Sequence, residues 1–255
     1  MNQGVSIQSG CDLPYRILIG THHKTGTVWL SSIFRAICQE HSLIFFMGAQ
    51  ADLPAKYDVF LQHHSEFDLD ALGARCRGLH IIRDPRDVIV SGCFYHQTSE
   101  EEWLHSPFKE LQGRTYQEAL YRCDTLDEKI LFEMEHAGKR TIDRMMKWNY
   151  ALPSFFELKY EDLMSDTDLT LFQKAFTFVG FPESVLPRLL AIAYSKSLFS
   201  GQPEKSGHIR SGAARQWEKY FKRRHKDRFL EIFGHVLIRL GYEADDNWAT
   251  SEDMG

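Results

Sequence analysis

The sequence is poor in the features that would place it in several large classes. Its five cysteines, at 11, 38, 76, 93 and 123, form no Cys-x-x-Cys pair and no close Cys/His cluster. Such an odd, scattered set reads as reduced thiols, and it excludes a disulfide framework or a zinc site. No run approaches the ~18 apolar residues of a membrane span. The start, MNQGVSIQSG, has neither the basic beginning nor the apolar centre of a signal peptide. An excess of positive charge is also missing: the formal net charge is −5, so no nucleic-acid partner is expected. Any anionic ligand must then be held by a local basic pocket. Internal repeats, low-complexity segments and an acidic cluster suited to magnesium are absent as well. What remains is an ordinary soluble composition, 43% hydrophobic and 25% charged over 255 residues. It is read as a single domain, 1–255, in the cytoplasm.

What the sequence does have is concentrated first in Tyr15 to Cys38, YRILIGTHHKTGTVWLSSIFRAIC. Tyr15, Ile17, Leu18 and Ile19 form a short apolar run ending at Gly20, the pattern of a buried strand. From Val28 the apolar positions Val28, Trp29, Ile33, Phe34 and Ile37 follow a helical period. Between them lies the small, polar loop 22–27. A strand, a glycine turn and a helix start make an anion cradle, to which Lys24 adds a full charge. The loop is not a Walker A motif, because Lys24 precedes Gly26 and Gly20 stands one residue too far upstream.

Further apolar runs at 42–47, 57–62, 78–82 and 154–159 read as strands. They alternate with helical stretches, which predicts an α/β fold on a parallel sheet with crossover helices. Ligands collect at the carboxyl ends of such strands, where the Lys24 loop, His63/His64 and Arg83 all fall. Arg83 to His96 reads RDPRDVIVSGCFYH, with Asp84 as helix cap and Pro85 in the first turn. Ser91 follows Arg83 by about two helical turns, and the two could clasp a phosphate. Asp68 or Asp70 is expected to cap a short helix, and Ser99–Glu102 has a capping-box pattern. One helical stretch is expected over 116–150, interrupted near Ala137-Gly138. Two further helices are read at 169–179 and 182–194, followed by a loop from 200 to 212. Residues 222–226 are read as a solvated face or helix start rather than a ligand site, 225–240 as a closing helix, and the acidic tail after Glu243 as frayed.

The order Lys24-Thr25-Gly26-Thr27-Val28-Trp29 resembles the 5'-phosphosulfate loop of sulfotransferases that use 3'-phosphoadenosine 5'-phosphosulfate (PAPS). His23 stands where that family usually has proline. The segment 83–91 is similar to the same family's 3'-phosphate motif, and Tyr160-Glu161-Asp162-Leu163 to its adenine-side tyrosine segment. Residues 210–221 resemble its C-terminal phosphate segment through Arg210, Gly212, Trp217 and Phe221. Ser211, Arg215 and Glu218 depart from it.

The resemblance implies a three-layer α/β fold, a central parallel sheet flanked by helices, of the P-loop-NTPase-like sulfotransferase type. It implies PAPS as co-substrate, with no metal required, and a small-molecule or carbohydrate hydroxyl (or amine) as acceptor. Thr25, Gly26, Thr27 and Val28 would grip the 5' end, and Arg83, Ser91, Arg210, Ser211 and Gly212 the 3'-phosphate. Trp29, Tyr160 and Phe199 would flank adenine. Lys24 would neutralise charge on the departing oxygen, in an in-line transfer. In the resembling enzymes a histidine base follows the strand before the 3'-phosphate strand, where His63 and His64 both stand. Strand alternation would turn them to opposite sides, and His64 is preferred. His22 and His23 are rivals for lining the acceptor cleft. A homodimer is allowed. The alternatives are an ATP/Mg-dependent P-loop kinase and an inactive nucleotide-binding module.

Overall fold

The computed structural model describes residues 13–200 and 213–250. In chain order it begins with β1 (Arg16–Gly20), α1 (Thr27–His41), β2 (Phe45–Met47) and β3 (Val59–Gln62). Then come α2 (Leu69–Leu72), β4 (Cys76–Ile82), α3 (Pro85–His96), β5 (Pro107–Phe108) and β6 (Arg114–Thr115). Three helices follow, α4 (Tyr116–Tyr121), α5 (Leu126–Glu135) and α6 (Ala137–Lys147), and then β7 (Phe155–Lys159). The rest is α7 (Tyr160–Ser165), α8 (Thr170–Phe178), α9 (Leu186–Lys196), α10 (Trp217–Tyr220), α11 (Arg223–Phe233) and α12 (Val236–Arg239). These elements fall into two compact units.

The first unit, residues 13–22, 26–82 and 149–200 of the described chain, holds the five-stranded sheet. Its order is β2-β3-β1-β4-β7, with every pairing parallel. The central strand β1 is buried on both faces: Ile17, Leu18 and Ile19 are all inaccessible, as a parallel strand requires. Ile17 and Ile19 join Val59, Leu61, Leu79 and Ile81 in the core that α1, α8 and α9 cover with Ile33, Phe34, Phe176 and Leu189. Phe60 of the opposite face packs edge-on against Phe67. The chain leaves β1 for β2 and β3 on one side and returns to β4 on the other. The loop after β1 therefore sits at a topological switch point, where such sheets bind ligands.

The second unit, residues 23–25, 83–148 and 213–250 of the described chain, is helical apart from the β5-β6 ribbon. Here α3 packs on α5 and α6, and α11 on α5. The helical stretch expected over 116–150 is interrupted near Ala137 as read, and a second time between α4 and α5, giving three helices. Thr115 and Thr125 open α4 and α5 with complete capping boxes to Glu118 and Glu128. Between α5, which ends at Glu135, and α6, the His136 Nδ1–H donates to the Phe132 carbonyl at 2.8 Å and the ring lies against that of Phe132.

Several other expectations are corrected. The Ser99 capping box does not form: Ser99 Oγ accepts from the Glu101 amide, and a short 3₁₀ turn starts at Glu102. Asp68, rather than Asp70, caps α2. The strand expected from Ser42 begins only at Phe45, because Ser42 adopts a left-handed conformation to close α1. Residues 222–226 are a helix start, α11 beginning at Arg223, and they are not all solvated. His225 is buried, its Nδ1 accepting from the Lys222 amide and its Nε2–H donating to the Asp127 carbonyl. The closing helix is split at Gly234. The tail after Glu243 is not frayed through 250: 246–249 form a 3₁₀ turn with Trp248 buried. The loop expected at 200–212 lies outside the described residues beyond Ser200.

Candidate active site

The loop after β1 contributes to both units, and each part is built differently. In the first unit Gly26 stands before α1 with φ of +108°, a conformation open chiefly to glycine. A Cβ there would meet Tyr160 Cδ2 at 3.2 Å, so a larger residue would also press on that ring. Helix α1, 15 residues long, has no side-chain cap and no acidic residue in its first turn. Its N-terminal amides are left for an anion. The Thr27 hydroxyl bonds Thr21 Oγ1 at 2.8 Å and donates to the His22 carbonyl at 3.2 Å, stiffening the turn. Val28 is exposed in the first turn of α1. The Trp29 ring contacts Tyr160 and Phe172 edge-on. Tyr160 is buried at the end of β7, and Phe199 lies against Tyr194.

In the second unit Lys24 is half-buried and holds φ of +64°, a conformation uncommon outside glycine and often found at functional sites. Thr25 is fully buried. Arg83, also buried, donates from Nη1 to the Lys24 carbonyl at 3.2 Å and from Nη2 to the Ala213 carbonyl at 3.4 Å. Its guanidinium is 3.7 Å from Asp87. Asp87 in turn accepts from the Trp217 amide at 2.9 Å, and burial pushes its carboxyl upward. The Lys24 ammonium lies 3.5 Å from the centroid of the Tyr95 ring. Among the described residues no carboxylate pairs with it. Burial first, and then the Arg83 charge, lower its pKa to about 8, against a weaker pull from Glu101 and Glu133. Ser91 is half-buried on α3, two turns from Arg83. Asp84 caps α3 as expected and also chelates Arg86.

His63 and His64 stand in a turn, because β3 stops at Gln62 and the Gln62 side chain accepts from the His64 and Glu66 amides. The alternation argument therefore does not separate them. His63 is exposed and His64 half-buried. Arg210, Ser211 and Gly212 lie outside the described residues.

The sequence reading missed the groups behind the loop. In the first unit His22 Nε2 meets His80 Nε2 at 2.9 Å, and His80 Nδ1 meets Glu157 Oε2 at 2.6 Å. In the second, His23 Nε2 meets His96 Nε2 at 2.8 Å, and His96 Nδ1 meets Glu133 Oε2 at 2.8 Å. The Tyr116 hydroxyl donates to the same Glu133 oxygen at 2.8 Å. A lone histidine inside the apolar run of β4 was the available signal for His80. Nothing local marks Glu133.

A family model described as a sulfotransferase domain matches residues 60–241. That span contains Arg83, Ser91 and Tyr160 but not the 22–28 loop. No curated protein matches the sequence. Among solved structures, the mouse sulfotransferase SULT7A1 complexed with PAP is similar at 16% identity and a TM-score of 0.56, over 91% of this chain and 87% of that one. Retinol dehydratase in complex with androsterone and inactive cofactor PAP is similar at 15% identity and a TM-score of 0.52, over 89% and 82%. Its complex with retinol and PAP gives 15% and 0.51, over 91% and 83%. At such identities the likeness establishes the fold, a P-loop-NTPase-like parallel sheet flanked by helices. With the family match extending over most of its length, the chain belongs to the sulfotransferase family.

Proposed function

We propose that the protein transfers the sulfuryl group of PAPS to a hydroxyl (or amine) acceptor, with the whole chain acting as one cytoplasmic sulfotransferase domain. The observation that carries the reading is the cation pair of the second unit. Arg83 is buried and donates to the Lys24 carbonyl at 3.2 Å, and burial first, then the Arg83 charge, lowers the Lys24 pKa to about 8. Two such charges favour a ligand rich in negative charge. The residues fit this donor: the left-handed Gly26, where a Cβ would press on Tyr160, and the uncapped start of α1 suit an anion against the backbone.

Bound PAPS supplies an activated sulfuryl group. Thr25, Gly26, Thr27 and Val28 are proposed to hold its 5' end through backbone amides. Arg83 and Ser91, with Arg210, Ser211 and Gly212, take the 3'-phosphate. Trp29, Tyr160 and Phe199 flank the base. Lys24 stabilises charge that develops on the departing oxygen in an in-line displacement. The acceptor proton passes to a histidine, whose ordinary pKa lies near neutrality. The turn after β3 offers His64 and His63, and the loop offers His23. The retinol dehydratase complexes hold androsterone and retinol, which supports a hydroxylated small molecule as acceptor.

Thermal-shift measurements with PAP, PAPS and Mg-ATP test the donor. PAP and PAPS are expected to raise Tm, by about 2.7 kcal/mol of stabilisation at a hundredfold excess over Kd, and Mg-ATP to do little. Sulfuryl transfer to a panel of alcohols and phenols tests turnover, with Lys24→Ala expected to lower it roughly 10²–10³-fold. Full activity in Lys24→Ala, or stabilisation by Mg-ATP with none by PAP, removes the reading.

A further inference from the structure

Two arginine–aspartate pairs stand at the start of α3, and they are built differently. Asp84 closes on Arg86: its Oδ1 accepts from Arg86 Nε at 3.0 Å and its Oδ2 from Arg86 Nη2 at 2.7 Å. Asp87 stays open toward Arg83, whose Nη2 lies 3.7 Å from Asp87 Oδ2, beyond hydrogen-bond length. Both members of this second pair are buried, Asp87 to 1% exposure. Among the described residues Asp87 Oδ2 makes no hydrogen bond, and a buried carboxylate oxygen left so costs stability. We infer that Asp87 is a positioning residue for selectivity toward a 3'-phosphate: it aims the Arg83 guanidinium and fastens the 213–217 segment beside it. The inference rests on the PAPS-donor reading above and names what lets that site tell a 3'-phosphorylated nucleotide from one without the group.

The geometry gives the Asp87 carboxylate two tasks. Its Oδ1 accepts from the Trp217 amide at 2.9 Å, while Oδ2 faces Arg83. Arg83 reaches the same segment by donating from Nη2 to the Ala213 carbonyl at 3.4 Å, and from Nη1 it donates to the Lys24 carbonyl at 3.2 Å. Arg83 and Asp87 thus hold the segment at two points, and all of these residues belong to the second unit. Arg215, in the same segment, pairs with Glu218 instead.

A guanidinium is a planar fork, and its orientation decides whether a phosphate meets two donors or one. The two carbonyls are neutral acceptors. The carboxylate adds an attraction that acts over 3.7 Å in surroundings largely out of water. A closed bidentate pair like that of Arg86 would take the fork's hydrogens, whereas Asp87 attracts the fork from outside hydrogen-bond range. A 3'-phosphate then meets an arginine already oriented, and the entropy of ordering it is lost at folding rather than at binding.

Isothermal titration with PAP and AMP, which differ only by the 3'-phosphate, reads the role as the ratio of their dissociation constants. Arg83→Ala is expected to lower the preference for PAP roughly 10–100-fold. Asp87→Asn keeps an acceptor for the Trp217 amide but removes the charge. It should lower the preference about three- to tenfold, through PAP alone, with Kd for AMP within about twofold. In a double-mutant cycle Asp87→Asn should take nothing further from Arg83→Ala, because the aspartate acts through the arginine. Should Asp87→Asn fold poorly, hydrogen exchange on the wild-type protein decides: at equal saturation PAP should slow exchange of the Trp217 amide roughly tenfold more than AMP does. Equal losses for PAP and AMP, additivity with Arg83→Ala, or equal protection of Trp217 by the two nucleotides overturns the inference. Each of these leaves the donor reading standing if Arg83→Ala still lowers the preference. An Arg83→Ala variant with the wild-type preference shows that the 3'-phosphate is not held there, and the donor reading falls together with the inference.

Discussion

A lysine that titrates near pH 8 in place of its usual range is the most informative residue of the molecule. Burial and the Arg83 guanidinium lower its pKa, so its charge is lost as pH rises through about 8. The unfolded chain keeps that proton up to the ordinary lysine range. Between the two values the unfolded state binds more protons, and this group's contribution to ligand-free stability rises with pH. A ligand with two phosphate groups reverses the preference and draws a proton in. We therefore expect PAP binding near pH 8 to take up protons, seen as a calorimetric enthalpy that depends on buffer ionisation. Affinity should fall above pH 8 in the wild type and much less in Lys24→Arg. Lys24→Ala should lose about tenfold to a hundredfold, the worth of a charge-assisted hydrogen bond. At this scale the glycine turn from β1 into α1, with Lys24 and Gly26 in it, was legible, because a tight strand-to-helix turn restricts residue types over a few consecutive positions. His96 and Glu133 were not, being 37 residues apart in sequence and joined only by folding.

Among the elements, the strands were easiest to read and their limits the hardest. Parallel strands buried on both faces are continuous apolar runs, and β1, β3, β4 and β7 all fall within the runs or within two residues of them. Where they stop depends on side chains such as Ser42 and Gln62 that bond their neighbours' backbone or take left-handed conformations. The Ser99 and Thr115 segments show the same limit. Both carry a capping-box spacing, but only Thr115 is followed by residues that continue as a helix. Close approach between strands adds a constraint that the pattern does not reveal. Gly78 of β4 faces Phe155 of β7 so closely that a Cβ would lie 2.2 Å from the ring. Gly78→Ala should therefore destabilise the protein by about 1–3 kcal/mol, measured by chemical denaturation. A wild-type midpoint would show that the β4–β7 packing is looser than described.

At the scale of the whole molecule each unit has its own organising feature, the parallel sheet in the first and a buried charged knot in the second. Arg86 is almost inaccessible; it chelates Asp84, meets Glu243 at 2.6 Å, and lies 3.8 Å over the Trp217 ring and 4.8 Å from that of Trp248. Its removal leaves two carboxylates and two indoles without their shared cation. Arg86→Ala is expected to cost about 3–5 kcal/mol, read from the denaturation midpoint, and to release the 243–249 segment to proteolysis. From the sequence alone Arg86 was one more basic residue in a motif, and the tail beyond Glu243 an acidic end. The sequence by itself determined the α/β class, the parallel sheet and the glycine turn at the switch point, because periodicity and short-range backbone chemistry act over a few residues. Only the tertiary structure decided which charges are buried together: the lysine held beside Arg83, the two His–His–Glu series and the Arg86 knot. Those pairings join residues far apart in the chain, and the desolvation that gives them their chemistry exists only once the chain has folded around them.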